Sequence, residues 1–171
     1  MFFLKKYQEG TATYLPFLPT GSDCNVFSPY CLTAINNYRV EYDAEICRKA
    51  YYPKYPSRLS AVYAFGDYET CEKVVKIHPD WRDLSTLKKF RLIETPLTRV
   101  IKVNMEIVTL AQKAYRISSI SQSDLDNLWK HYWNGGGNFQ MELPDVNFSR
   151  TKHDSGEIFE YLIEGAVVLN E

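Results

Sequence analysis

Apolar and polar positions along this chain repeat with two different periods, and the switches between them mark out its elements. From Tyr38 to Tyr52 the period is helical. Ile46, Cys47 and Ala50 fall on one face and Glu41, Glu45, Arg48 and Lys49 on the other, until Pro53 and Pro56 stop the run. Asp67 caps a second predicted helix from Tyr68 to about Ile77, which turns Glu69, Glu72 and Lys73 to solvent. Asn104 caps a third, Met105 to Arg116. Ser121, with Asp124 at the capping-box spacing, opens a fourth that runs to Trp133. Asn134-Gly135-Gly136-Gly137 ends that helix, because glycine takes the left-handed conformation a helix C-terminus favours. Strand-like runs lie at Phe2–Tyr7, Ala61–Phe65, Phe90–Glu94 and Thr98–Val103, the last two parted at Pro96. Two more, Glu157–Ile163 and Ala166–Leu169, sit around Glu164-Gly165. Gly10–Tyr30, with three prolines and two glycines, reads as loop. Polar residues dominate Asn138–Gly156, which predicts a long mobile loop. Helices and strands are interspersed without strict alternation, and that favours an α+β fold over a doubly wound sheet.

The chain has 171 residues, 45% hydrophobic and 24% charged, which fits one globular domain. A domain this long buries roughly 70% of its unfolded surface and needs no metal or disulfide to hold a core. Its 20 basic and 21 acidic residues leave a charge of −1, which excludes a strongly basic nucleic-acid clamp and an acidic DNA mimic. Cys24, Cys31, Cys47 and Cys71 form no Cys-x-x-Cys pair and have no histidine at zinc-ligand spacing, so reduced thiols and no metal are expected. The short apolar run Phe2-Phe3-Leu4 before Lys5 falls short of a signal-peptide core, and no stretch approaches the ~20 apolar residues of a membrane span. A soluble, cytoplasmic protein without a membrane partner is the expectation. Aromatic residues reach 15%, led by 13 tyrosines, a composition compatible with a ligand cleft.

Two segments carry candidate chemistry. In Tyr51-Tyr52-Pro53-Lys54-Tyr55-Pro56-Ser57-Arg58-Leu59-Ser60, two prolines stiffen a loop crowded with tyrosines. Arg58 brings a planar fork of donors suited to phosphate or carboxylate, and Ser57 and Ser60 bring short hydroxyls. The strand after it, with Tyr63, would fix the group against a core. Such a corner either holds an anion or nucleotide, or is a rigid turn whose arginine pairs with a carboxylate. The second segment is Glu157 to Ile163. Strand alternation puts Glu160 between Ile158 and Leu162 on one face, where a carboxylate is paired, shifted in pKa or placed for a ligand. Trp129, His131, Tyr132 and Trp133 end a helix beside the glycines. Most of these rings belong to a core, and one could wall a cleft. No nucleophile elbow, Walker loop or dinucleotide glycine motif is present.

The order Glu45-x-x-Arg48-x-x-Tyr51-x-Pro53-x-x-Pro56-Ser57-Arg58-Leu59-Ser60-x-x-Tyr63-x-Phe65, then Tyr132-Trp133 before glycine, a Glu160-x-Leu162 strand and a closing Val167-Val168 strand, resembles a small group of bacterial and phage domains related to the ADP-ribosyltransferase superfamily. The likeness spans about residue 38 to the end, and Pro-Ser-Arg-Leu-Ser is its most specific part. It implies a split, strongly bent β-sandwich with helices packed at its sides and NAD, as substrate, in the cleft between sheets. It further implies that Glu160 stabilises the ribosyl oxocarbenium, that Arg58 holds the NAD phosphates, and that Ser57 and Ser60 match the cofactor-binding middle-strand region. Tyr63 or Tyr132 would stack on nicotinamide. The acceptor would be a macromolecule, protein or nucleic acid, in a toxin or host-modifying setting. The first strand departs from the family, offering Lys5, Lys6 and Tyr7 where histidine or arginine is usual. Either a lysine such as Lys6 substitutes, Arg58 takes over the phosphate contacts, or NAD is not bound in the usual way. The alternative is a non-catalytic nucleotide- or protein-binding module on the same fold.

Overall fold

The computed structural model describes residues 29–79, 84–115, 120–144 and 149–169. Lys6 and the expected strand Phe2–Tyr7 lie outside them. The described chain is α+β. Helix α1, Pro29–Tyr51, begins nine residues before the expected start, inside the stretch read as loop. Pro29 fits that first turn because its missing N–H has no helical partner to lose. Arg48 and Lys49 in the last turn complement the helix dipole. Strand β1, Val62–Ala64, leads into α2, Tyr68–Ile77, and Asp67 Oδ1 accepts from the Thr70 N–H at 2.7 Å as its cap. After a short 3-10 turn at Leu84–Thr86 come β2, Phe90–Ile93, and β3, Arg99–Asn104. Asn104 caps α3, Met105–Ala114, and Ser121 caps α4, Gln122–Trp133, both at the expected positions. Gly135 has φ +69° and its N–H bonds the Tyr132 carbonyl, so the glycine stop works as its sequence implies.

The expected loop at Asn138–Gly156 is instead largely a strand pair. Strand β4, Gln140–Pro144, pairs antiparallel with β5, Arg150–Asp154. Only Met141 and Leu143 turn inward, so the period-2 signal rested on two residues among many polar ones. The last strands are β6, Phe159–Glu164, and β7, Ala166–Leu169. The order β1-β6-β3 makes a three-stranded antiparallel sheet, and β2 pairs separately with β7. The two ladders are one ribbon broken in the middle. Ile93 faces Ala166, Arg99 faces Glu164, and residues 94–98 stand opposite the single Gly165. Thr98 closes this bulge: its Oγ1 bonds the Ile93 carbonyl at 2.9 Å and takes the Thr95 N–H at 3.0 Å. A Cβ at Gly165 would lie 3.1 Å from Thr98 Oγ1, so glycine is needed where the ribbon bends.

The core lies where α1, α3 and α4 meet the three-stranded sheet. Trp129, Tyr132 and Trp133 are essentially fully buried there, beside Val40, Ala44, Ile107, Leu128 and Leu162. The Trp133 indole donates to the Ala44 carbonyl at 2.8 Å. The Trp129 indole donates to the Tyr115 hydroxyl, which donates to Asp43. The inward face of α1 differs from the expected one. Val40, Ala44 and Cys47 are inside, Ile46 is 49% exposed, and Glu45 and Arg48 are buried. A glutamate and an arginine three residues apart can enter a core as a pair where neither could alone.

Candidate functional site

The Pro-Ser-Arg-Leu-Ser corner packs under α1, against a polar stripe of Glu41, Glu45 and Arg48 at helical spacing. Glu45 and Arg48 make a forked pair, with Arg48 Nε on Oε2 at 2.9 Å and Nη2 on Oε1 at 2.7 Å. Arg48 Nη1 also donates to the carbonyls of Tyr55, at 2.8 Å, and Pro53, so it clamps the proline loop that follows its own helix. The Ser57 hydroxyl donates to Glu45 at 2.9 Å. At the far side of the corner, the Ser57 N–H and the Ser60 hydroxyl both donate to Glu164 Oε1, at 2.9 and 2.6 Å, and Arg99 stands 3.3 Å from Oε2. Ser57 and Ser60 thus tie α1 to the end of β6. The Arg48 bonds hold Glu45 below the usual carboxylate range. Partial burial pushes Glu164 up, but the Ser60 and Ser57 donors outweigh it and leave it lowered.

Arg58 points the other way, into the protein. Its Nε and Nη2 form a fork on Glu41, at 2.7 and 2.9 Å. Its Nη1 donates to the Tyr132 hydroxyl and, at 3.2 Å, to Glu160 Oε1. The guanidinium carbon lies 5.2 Å from the centre of the Tyr63 ring and 5.4 Å from that of Tyr132, within cation–π range. The Tyr63 hydroxyl donates back to the Arg58 carbonyl at 2.6 Å. Burial pushes both tyrosine hydroxyls up, so both are protonated at neutral pH. Burial also raises Glu160, and Arg58 pulls against that rise. Strand β6 pairs with β1 and β3 on either side and carries Glu160 opposite Val103, in the middle of the sheet.

Arg58, Glu160, Tyr63 and Tyr132, separated by up to 102 positions, therefore meet in one cluster. The cluster is closed: Arg58 is 9% exposed, Glu160 4% and Tyr132 0%. Ser57 and Ser60 stand at its flank with their hydroxyls on Glu45 and Glu164, and Lys6 lies outside the described residues. Tyr132 is a core ring that contacts Trp129 and Trp133 edge-on. Residue-by-residue reading missed Glu41, Glu45, Arg48 and Glu164 as partners of this corner. The available signal was that Glu41, Glu45 and Arg48 recur at i, i+4, i+7, a stripe that can face inward as well as outward. It also took Asn104 for a cap alone. Its amide donates to the carbonyls of Gly137 and Gly156, and its oxygen accepts from the N–H groups of Glu106 and Ile158. It therefore stitches α3, the glycine loop and the approach to β6.

Among the described residues no group of three or more His, Cys, Asp or Glu is placed to hold a metal ion, and no helix is long and apolar enough to cross a membrane. No family model, curated protein sequence or solved structure matches the chain.

Proposed function

We propose that this chain is an NAD-dependent ADP-ribosyltransferase acting on a macromolecular acceptor, built on a split, strongly bent β-sandwich. The carrying observation is the convergence of Arg58 and Glu160 between the rings of Tyr63 and Tyr132. The bent β2–β3 and β6–β7 ribbon supports the architecture. In the reaction the bond from nicotinamide nitrogen to ribose C1′ breaks and nicotinamide leaves with the electron pair. An acceptor nucleophile then bonds to C1′ and gives up a proton. Positive charge develops on the ribose, and a carboxylate held in place stabilises it. Glu160 supplies that carboxylate, with Arg58 opposing the upward pull of burial on its pKa.

The guanidinium fork of Arg58 carries the Glu41 carboxylate, so a pyrophosphate reaching Arg58 takes the place of Glu41. Glu41 is the exchangeable partner, since its side chain is 27% exposed against 5% for Glu160. The test is nicotinamide release from NAD by the purified protein, with Glu160→Gln as the variant that keeps shape and removes charge. Release by the wild type that falls at least a hundred-fold in the variant supports the reading. Equal release by both, or none together with no stabilisation by NAD or ADP-ribose, overturns it.

One observation favours a second reading, a binding module without turnover. Every polar group of the corner named above already has a partner in the protein, and Arg58 is saturated by two carboxylates and a phenol. Stabilisation by ADP-ribose with no nicotinamide release from NAD would select it.

A further inference from the structure

The other face of β6 is built differently. Alternation puts Phe159 and Tyr161 opposite Glu160, and the register sets Lys102 of β3 directly across from Tyr161. The Lys102 ammonium lies 4.7 Å from the centre of the Phe159 ring. Between this face and the start of α2 is a cavity of about 270 Å³, whose lining includes the rings of Phe159 and Tyr161, the cations Lys102 and Lys73 and the carboxylates Asp67 and Glu157. The Tyr161 ring presses on the Gly66 backbone, where a Cβ would come within 3.0 Å of Cε2. Glycine at 66 therefore keeps an aromatic wall against the chain.

The polar groups here are unevenly used. Lys73 is held by the Glu157 carbonyl at 2.7 Å, and Asp67 Oδ1 by the Thr70 N–H. Lys102 makes no hydrogen bond or ion pair among the described residues. A cation of this kind beside two aromatic rings suits a ligand with a phosphate and a flat ring. The second Asp67 oxygen offers an acceptor to a sugar hydroxyl. Drug-sized sites run from roughly 300 to 1,000 Å³. At about 270 Å³ this one lies just below that range, which favours a mononucleotide over a dinucleotide.

We infer that this cavity binds a nucleoside monophosphate, with Lys102 on the phosphate and the base against Tyr161. The site does not rest on the transferase reading, because Glu160 and Arg58 lie on the opposite face of the strand. The test is calorimetric titration of the whole chain with AMP, GMP, CMP and UMP, and with inorganic phosphate for comparison. At least one nucleotide should saturate, at least ten-fold more tightly than phosphate. Lys102→Glu and Lys102→Met should weaken it about ten-fold or more, the loss of one charge-assisted bond. Lys102→Arg should largely retain it, and Glu160→Gln should leave it unchanged. The melting temperature of each variant shows that it is folded. Failure of all four nucleotides to saturate by millimolar concentration overturns the inference, as does phosphate binding equally well. So does loss of binding in Glu160→Gln with retention in Lys102→Glu, which would move the ligand to the other face.

Discussion

Replacing Arg58 with methionine tests the buried cluster directly. The change keeps an unbranched apolar stem and removes the cation that Glu160 faces at 3.2 Å. Glu160 is only 5% exposed, so it cannot turn to water in place. Breaking a buried pair by removing one partner costs about 3–5 kcal/mol. A second route gives a ceiling. An unpaired Glu160 escapes by taking up a proton, at about 1.4 kcal/mol for each unit between pH 7 and the ordinary glutamate value near 4.3, or about 3.7 kcal/mol. The two agree on a loss of about 3–4 kcal/mol at pH 7, equivalent to about 6–16 °C in Tm for a chain of this size. The sign with pH follows. Without Arg58 the folded-state pKa of Glu160 rises further above its unfolded value. The neutral form then contributes its full stability below about pH 4.3, and that stability is lost as pH rises. The deficit of Arg58→Met should therefore shrink by more than half between pH 7 and pH 4.5, and adding Glu160→Gln should recover most of it at pH 7. Urea unfolding followed by tryptophan fluorescence measures all three. A loss under about 1 kcal/mol, a deficit independent of pH, or no relief from the second substitution would show that the charges are not coupled as the geometry implies.

Three further outcomes are expected. Glu41→Gln leaves a neutral amide on the Arg58 fork, so ADP-ribose should bind about ten-fold more tightly, about 1.4 kcal/mol, by calorimetry; unchanged or weaker binding would deny that Glu41 occupies the phosphate position. Asn104→Ala strips partners from two N–H and two carbonyl groups, and at about 1–3 kcal/mol for each group that stays dry the loss should reach about 4 kcal/mol or more in chemical denaturation. Glu45 and Glu164 are held below the ordinary carboxylate range, so their stabilisation is full above about pH 4.3 and disappears as pH falls through their lowered folded-state values; Glu45→Gln should flatten the acid limb of a stability–pH curve, and an unchanged slope would count against the assignment.

Local chemistry made a large part of the fold legible. Asp67, Asn104 and Ser121 cap helices because each side-chain oxygen reaches an N–H two or three residues on, a contact needing no distant partner. Gly135 stops α4 for an equally local reason. The candidate site was half legible. Arg58 and Glu160 each stood out as candidates, one as a fork of donors and the other as a carboxylate between apolar neighbours, but their pairing at 3.2 Å came only with the fold. The identity of the rest of the cluster did not follow, because Glu41 looks like any solvent-facing residue of an amphipathic helix.

Backbone preferences and neighbours within four positions were enough to set the capped helices, the glycine stop, the central β-strands and the residue types that form the cluster. Long-range packing was needed to turn Glu45 and Arg48 inward, to make strands of a polar stretch through Met141 and Leu143, and to point Arg58 at carboxylates. The reason is electrostatic and geometric. Hydropathy places a lone charge in water, but two opposite charges with complementary hydrogen bonds can be buried together. Which charges meet across a hundred residues is set by the register of β6 between β1 and β3. That same register puts Glu160 on one face and Tyr161 on the other, and so gives one strand a closed polar cluster and an open cavity.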